Sequence, residues 1–443
     1  PLDTALLRQG EQVARTADCQ ACHTAPGSNR PYSGGYGLVS PVGTIYSTNI
    51  TPDKSGIGAY SEAQFADALR RGIRPDGTRL YPAMPYTAYA MMSDADLHAL
   101  YYYLKYGVKA QAQANPATAL PFPFNWRFGI RFWNMMFVRQ AAWKSDSSKS
   151  AEWNRGNYLV NGPGHCGVCH TPRGFLLQEQ SDRPLAGGRL GIWHAPNITS
   201  DTISGIGGWS DEALLRYLKT GRAPGKGQAG GGMAEVIGHS LQYLPDSDVR
   251  AIVTYLKATA PIRNQGDSAP AFSYGAPYNV ENALRGRKPN QADSVLPDGA
   301  ALFSGNCASC HQPDGSGSAN QAYPSLFHNS VTGRRNPNNL IAAILFGVQR
   351  NTVDHQVLMP GFGAPSYVNS LNDQQIAAIS NFVLAHYGNP DIKVTARNVE
   401  WVRKGGYPPL LARLQPWVIP GLSLAIMLLI ALIIWRAAAR RRP

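Results

Sequence analysis

The sequence predicts a mainly α-helical chain of three tandem domains of one kind, followed by a single C-terminal transmembrane helix. Three observations predict it. The pattern C-x-x-C-H begins at residues 19, 166 and 307, at domain-sized intervals. After each occurrence come a loop-rich stretch and an amphipathic helical pattern. Residues 417 to 435 form an apolar run without a charged side chain.

A chain of 443 residues exceeds what one hydrophobic core sustains. Its 45 glycines and 33 prolines point to long irregular connections. The expected divisions are domains at 1–110, 151–260 and 297–390, an aromatic-rich linker at 111–150 and a second linker at 261–296. A connector at 391–416, the transmembrane helix at 417–435 and a basic tail at 436–443 complete the chain.

All six cysteines fall in the three motifs: Cys19-Gln20-Ala21-Cys22-His23, Cys166-Gly167-Val168-Cys169-His170 and Cys307-Ala308-Ser309-Cys310-His311. This is the attachment signature of c-type haem. Two thiols one turn apart form thioethers to one haem, and the adjacent histidine is held beneath the iron as proximal ligand. Zinc would need further cysteines or histidines gathered at each site, and a thioredoxin-like pair needs no following histidine. The reading is therefore three covalently bound haems c, on Cys19 and Cys22, Cys166 and Cys169, and Cys307 and Cys310, with His23, His170 and His311 as iron ligands.

A short helical stretch with a small residue precedes each motif: Gly10, Gly156 and Gly299. The closing helices begin near Met92, Leu244 and Leu371, with Ser93, Asp246 and Asn372 as their expected N-caps. This order resembles cytochrome c, whose first and last helices cross where a small residue permits close approach. The first two domains also share Asn-Ile-Thr at 49 and 197 and Gly-Ile-Gly at 56 and 205, which the third lacks.

A low-spin electron-transfer haem takes a second axial ligand, Met or His. Met84, Met233 and Met359 each lie between motif and closing helix, beside prolines or glycines expected to hold an extended loop. They are the expected sixth ligands, with His239 and His355 as lesser alternatives.

The net charge of +13 does not signal nucleic-acid binding: the basic residues are dispersed, no nucleic-acid motif occurs, and haem propionates would offset roughly six charges. The run Trp417–Trp435 is long enough for one bilayer crossing, with aromatic residues at both ends. Arg436, Arg440, Arg441 and Arg442 follow, and the positive-inside rule puts them in the cytoplasm and the haem domains in the periplasm. A start at Pro1 fits a signal peptide already cleaved. The segment Pro121 to Val138, aromatic with Arg127 and Arg131, suits either a membrane-surface or partner contact or the filling of a cleft between domains.

The whole chain resembles the triple-haem cytochrome c subunit of membrane-bound periplasmic dehydrogenases of acetic acid bacteria. The run Gly162 to Gly174 carries the strongest likeness, supported by Tyr81 to Tyr86 and Asn-Ile-Thr. The resemblance implies electron transfer from a separate catalytic subunit to ubiquinone. That partner is a quinoprotein, flavoprotein or molybdopterin dehydrogenase, and a small accessory subunit is allowed for. The cytochrome subunit of quinoprotein alcohol dehydrogenases lacks a hydrophobic C-terminal helix, so the tail here favours a flavoprotein or aldehyde dehydrogenase partner, aldehyde dehydrogenase slightly.

No dinucleotide fingerprint or catalytic triad is present, so oxidation of a substrate by this chain alone is not expected. Two other classes share part of the pattern. A haem peroxidase needs an open or displaceable sixth position, against which three methionine ligands would count. An electron-donor subunit of a terminal oxidase would differ in its partner.

Overall fold

Asp3 starts the first helix, Thr4–Thr16, by accepting the backbone N–H groups of Ala5 and Leu6. The structure is a computed structural model that describes residues 2–40, 42–138, 142–285 and 298–439. Three helix pairs organise it. Thr4–Thr16 packs on Asp94–Tyr106, Ala151–Asn161 on Asp246–Lys257, and Gly299–Asn306 on Asp373–Tyr387.

A glycine sits at each crossing. A Cβ on Gly10 would lie 2.0 Å from the Ala99 carbonyl oxygen, one on Gly156 1.9 Å from that of Ala251, and one on Gly299 2.4 Å from that of Ala378. Any side chain there would push the helices apart. Below each crossing lies a cluster of buried apolar residues: Phe65, Met92 and Leu100 in the first, Leu159, Trp209 and Ile252 in the second, Phe303, Ile341 and Ile376 in the third.

The closing helices start largely as expected. Ser93 accepts the Asp96 N–H, and Asn372 and Gln375 form a reciprocal capping box. Asp246 does not cap. Pro245 occupies that position, its carbonyl accepting the N–H groups of Asp248 and Val249, and Asp246 is the first helical residue, where it pairs with Lys219 at 3.3 Å. A carboxylate there still complements the helix dipole.

Strand structure among the described residues consists of four two-stranded antiparallel ribbons, among them Gly37–Ser40 with Gly43–Tyr46, Ala186–Leu190 with Trp193–Asn197, and Val348–Asn351 with Gln356–Met359. The chain after Ala258 is more fixed than an extended linker. Phe272 packs edge-on against Trp209 and beneath the Lys226 ammonium, and Gly275 lies under the Tyr387 backbone. Residues 286–297 of that stretch lie outside the described residues.

The last helix, Val418–Ala439, takes in the expected apolar run except Trp417, which ends the turn before it, and its apolar stretch is not buried in protein. By length and composition it can cross a membrane. Arg436 belongs to it, whereas Arg440, Arg441 and Arg442 lie outside the described residues.

Candidate functional site

Each cysteine pair is wound on one helical turn. The turns are Cys19–Cys22, Cys166–His170 and, for the third motif, Ala308–His311 directly after Cys307. None of the six cysteines is paired in a disulfide. Burial pushes the thiols of Cys19, Cys22, Cys166 and Cys307 up to about 12, and that of Cys169 to about 11. These are not the low-pKa thiolates of disulfide exchange. Cys22 is exposed and opens onto a cavity.

The histidines share one arrangement. His23 Nδ1 lies 2.6 Å from the Thr48 carbonyl oxygen, His170 Nδ1 2.7 Å from that of Pro196, and His311 Nδ1 2.8 Å from that of Pro324. A carbonyl only accepts, so Nδ1 carries the proton and Nε2 keeps its lone pair, the state an iron ligand needs. Desolvation reinforces it by lowering all three histidines, His170 to about 4.

Asn-Ile-Thr positions two of those carbonyls. Asn49 Oδ1 accepts the Thr51 N–H and hydroxyl, and its Nδ2 donates to the Gln111 carbonyl. Asn197 repeats this with Thr199 and the Ile262 carbonyl. The residue before each asparagine is the histidine's partner, Thr48 or Pro196. Gly56 and Gly205 press on the Thr51 and Thr199 carbonyls, leaving no room for a side chain. The role of Thr48, Pro196 and Pro324 was not visible in the sequence, because a backbone acceptor has no residue signature; the asparagine beside the first two was the available signal.

The first two motifs face one another. Tyr89 donates its hydroxyl to the Ala17 carbonyl at 2.6 Å and meets the His165 ring edge-on at 5.6 Å, so the residues preceding the two cysteine pairs are neighbours. A cavity of about 2360 Å³ runs between them, walled by Cys19, Cys22, His23 and Met84 on one side and Val168, Cys169 and Trp193 on the other. It exceeds the roughly 1,000 Å³ of a large small-molecule pocket. Glu235 enters its wall from the helix Gly231–His239, and burial raises its carboxyl and that of Asp18. The third motif and Met359 lie away from this cavity.

The methionines occupy three different settings. Met84 is in a turn, packed against the first cluster. Met233 is not in a loop: Gly230 and Gly231 turn the chain against Trp193, and a helix follows at once, with Met233 in its first turn. Met359 ends the strand Gln356–Met359 of a ribbon. His239 and His355 are exposed. The paired thiols, the ring nitrogen left free and the apolar space fit covalent haem c.

The comparisons agree with this chemistry. The cytochrome c family model matches residues 297–386, and that of the cbb3-type cytochrome c oxidase subunit III matches 5–104. A fructose dehydrogenase cytochrome subunit of Gluconobacter japonicus is 46% identical over 98% of this chain and 91% of its own length. The chain belongs to the cytochrome c subunits of dehydrogenase complexes. This cytochrome subunit is also 40% identical to the cytochrome c subunit of a quinone alcohol dehydrogenase of Gluconobacter oxydans, over 92% of this chain and 84% of that one. It is 37% identical to a gluconate 2-dehydrogenase cytochrome c subunit of Pantoea cypripedii, over 90% of each. As in those subunits, its work is electron transfer, and its cofactor is covalent haem c.

Proposed function

We propose that this cytochrome subunit carries three haems c, takes electrons from a separate dehydrogenase subunit and delivers them to ubiquinone in the membrane. The observation that carries the haem count is the repeated construction: a cysteine pair on one turn, a histidine whose Nδ1 is tied to a carbonyl, and a helix pair closed on a glycine. Bound haem iron supplies one-electron chemistry. The chain attaches it through Cys19 and Cys22, Cys166 and Cys169, and Cys307 and Cys310. It orients His23, His170 and His311 toward the iron and offers Met84, Met233 and Met359 as sixth ligands. We place the domains at 1–110, 151–260 and 297–390; the first two clusters support the first two divisions, whereas the third cluster also takes in Val394, Val399 and Val402 beyond residue 390.

The catalytic partner is a molybdopterin, flavin or quinoprotein dehydrogenase, with a small accessory subunit where the complex has one. The anchor favours aldehyde oxidation, and the likeness to a fructose dehydrogenase subunit adds sugar oxidation. The cytochrome domains stand in the periplasm and the arginine-rich tail in the cytoplasm. Ubiquinone meets the chain beside the anchor or the segment from Pro121. Donation to a terminal oxidase has the family match of residues 5–104 in its favour, but the relatives aligned over nearly the whole chain are dehydrogenase subunits.

Mass spectrometry of the membrane complex purified through this chain tests the reading. The expected result is three haem masses on the chain and a co-purified dehydrogenase subunit with its own cofactor. Fewer haems, or oxidase subunits alone, would overturn it.

A further inference from the structure

The helix Phe128–Phe137 has one face held by protein and one face bare. On the held face, Asn134 is buried and accepts the Tyr86 hydroxyl at 2.7 Å, and Trp133 Nε1 donates to the Leu176 carbonyl at 2.9 Å. Just before the helix, the Arg127 guanidinium donates to the Arg79 carbonyl and lies over the Tyr81 ring. On the bare face, Phe128, Phe132 and Met135 follow one another at four- and three-residue steps, which aligns them in a stripe. All three are exposed, Met135 at 76%, and Trp126 beside them at 61%. An apolar stripe of this extent on a folded chain marks a contact surface.

Its position says which contact. Gln415 Nε2 donates to the Phe122 carbonyl at 2.8 Å, across 293 residues of sequence. Gln415 stands three residues before the apolar helix Val418–Ala439, with Trp417 exposed between them and Leu414 exposed just before. The aromatic segment is thus tied to the root of the helix that can cross the bilayer. Exposed Arg131 among the aromatic residues makes no ion pair among the described residues, and this mixture of aromatic, thioether and cationic side chains suits the headgroup boundary.

We infer that the bare face of Phe128–Phe137 lies in the lipid interface of the leaflet where the last helix enters, as a second membrane contact parallel to the surface. The inference rests on reading that last helix as membrane-spanning. Trp126, Ile130 and Leu411 also wall the cavity between the first two motifs, so the contact sets that wall at headgroup depth.

The test uses the full chain in vesicles of phosphatidylcholine and phosphatidylglycerol that include a phospholipid with a diazirine in its acyl chain. After photolysis, labelled residues are mapped by mass spectrometry. Labels are expected on residues 418–435 and also on 122–136; Phe128→Ser, Phe132→Ser and Met135→Ser together should remove the second set and keep the first. Labels confined to 418–435 would overturn the inference and leave the anchor standing, whereas no label on 418–435 would overturn the anchor itself. Loss of the 122–136 labels when the catalytic subunit is bound would also overturn it, since the face would then belong to a protein partner.

Discussion

A Cβ placed on Gly156 would stand 1.9 Å from the carbonyl oxygen of Ala251, closer than two non-bonded atoms can come without the helices parting. Gly156→Ala is expected to cost about 1–3 kcal/mol by overpacking. The same change at Gly299, where the clearance is 2.4 Å, should cost less. Limited proteolysis with mass spectrometry checks the order, with cleavage rising within 151–260 for the first variant and within 298–390 for the second.

Asn197 is buried and serves four hydrogen bonds, two accepted from Thr199, one donated to the Ile262 carbonyl and a longer one donated to Asn264 Oδ1. Asn197→Ala leaves those groups unpaired at about 1–3 kcal/mol each where they stay buried. It also frees the Pro196 carbonyl that faces His170. Asn197→Asp should not rescue, because a carboxylate cannot donate to Ile262. Amide exchange at Thr199 and Ile206 should accelerate in both variants, while exchange around Pro324 stays unchanged.

Replacing Cys166 and Cys169 together by alanine should lower haem absorbance by about one third, with attachment at the other two motifs intact. Met233→Ala should keep all the haem but lower one midpoint potential, by on the order of 0.1 V within the roughly 0.8 V that axial ligation spans. A redox titration of each variant separates the two effects. Unchanged potentials in Met233→Ala would point to a different ligand on that iron.

Asp201 is buried, and burial alone would raise its carboxyl. The Arg263 guanidinium at 2.8 Å and the N–H groups of Ser204 and Ile203 outweigh that and hold it below the usual carboxylate range. A group depressed in this way stabilises the fold above its unfolded pKa, and the stabilisation disappears as the pH falls through the folded value. Arg263→Ala should therefore raise the pH at which the second cluster unfolds in acid, as followed by circular dichroism. Above neutral pH the variant should fall short of the parent by the full contribution of the pair, and the difference should close as the pH falls below the folded value of Asp201.

Much of the site was legible because its chemistry is written in side chains: cysteine spacing, the following histidine, and glycines at helix crossings each have a residue signature. Ser93 and Asn372 cap as their sequence suggests. What escaped depends on backbone. Asp246 looked like a cap, yet Pro245 cannot continue a helix backwards and takes the position itself. Met233 looked like a loop residue because three glycines precede it, but those glycines make a tight turn into a helix. The segment from Pro121 packs on the protein through its buried Asn134 and leaves its phenylalanines bare on another face of the same helix, a division that composition alone does not show.

Arg350 comes from the ribbon next to the third cluster and is buried against the second, donating to the Ala229 carbonyl at 2.7 Å and to Gln228 Oε1 at 3.1 Å. Asn339 and His194 exchange a reciprocal pair of hydrogen bonds across the same seam. Gln242 accepts the Val353 N–H and the Lys226 carbonyl the Ser330 N–H across it as well, so the joint is riveted at several points. Such a joint excludes a swinging arm: the path length from the second motif to the third is set when the chain folds and does not wait on a docking event or a domain rotation. Transfer between them would then vary with driving force alone, and viscosity of the medium should leave its rate untouched.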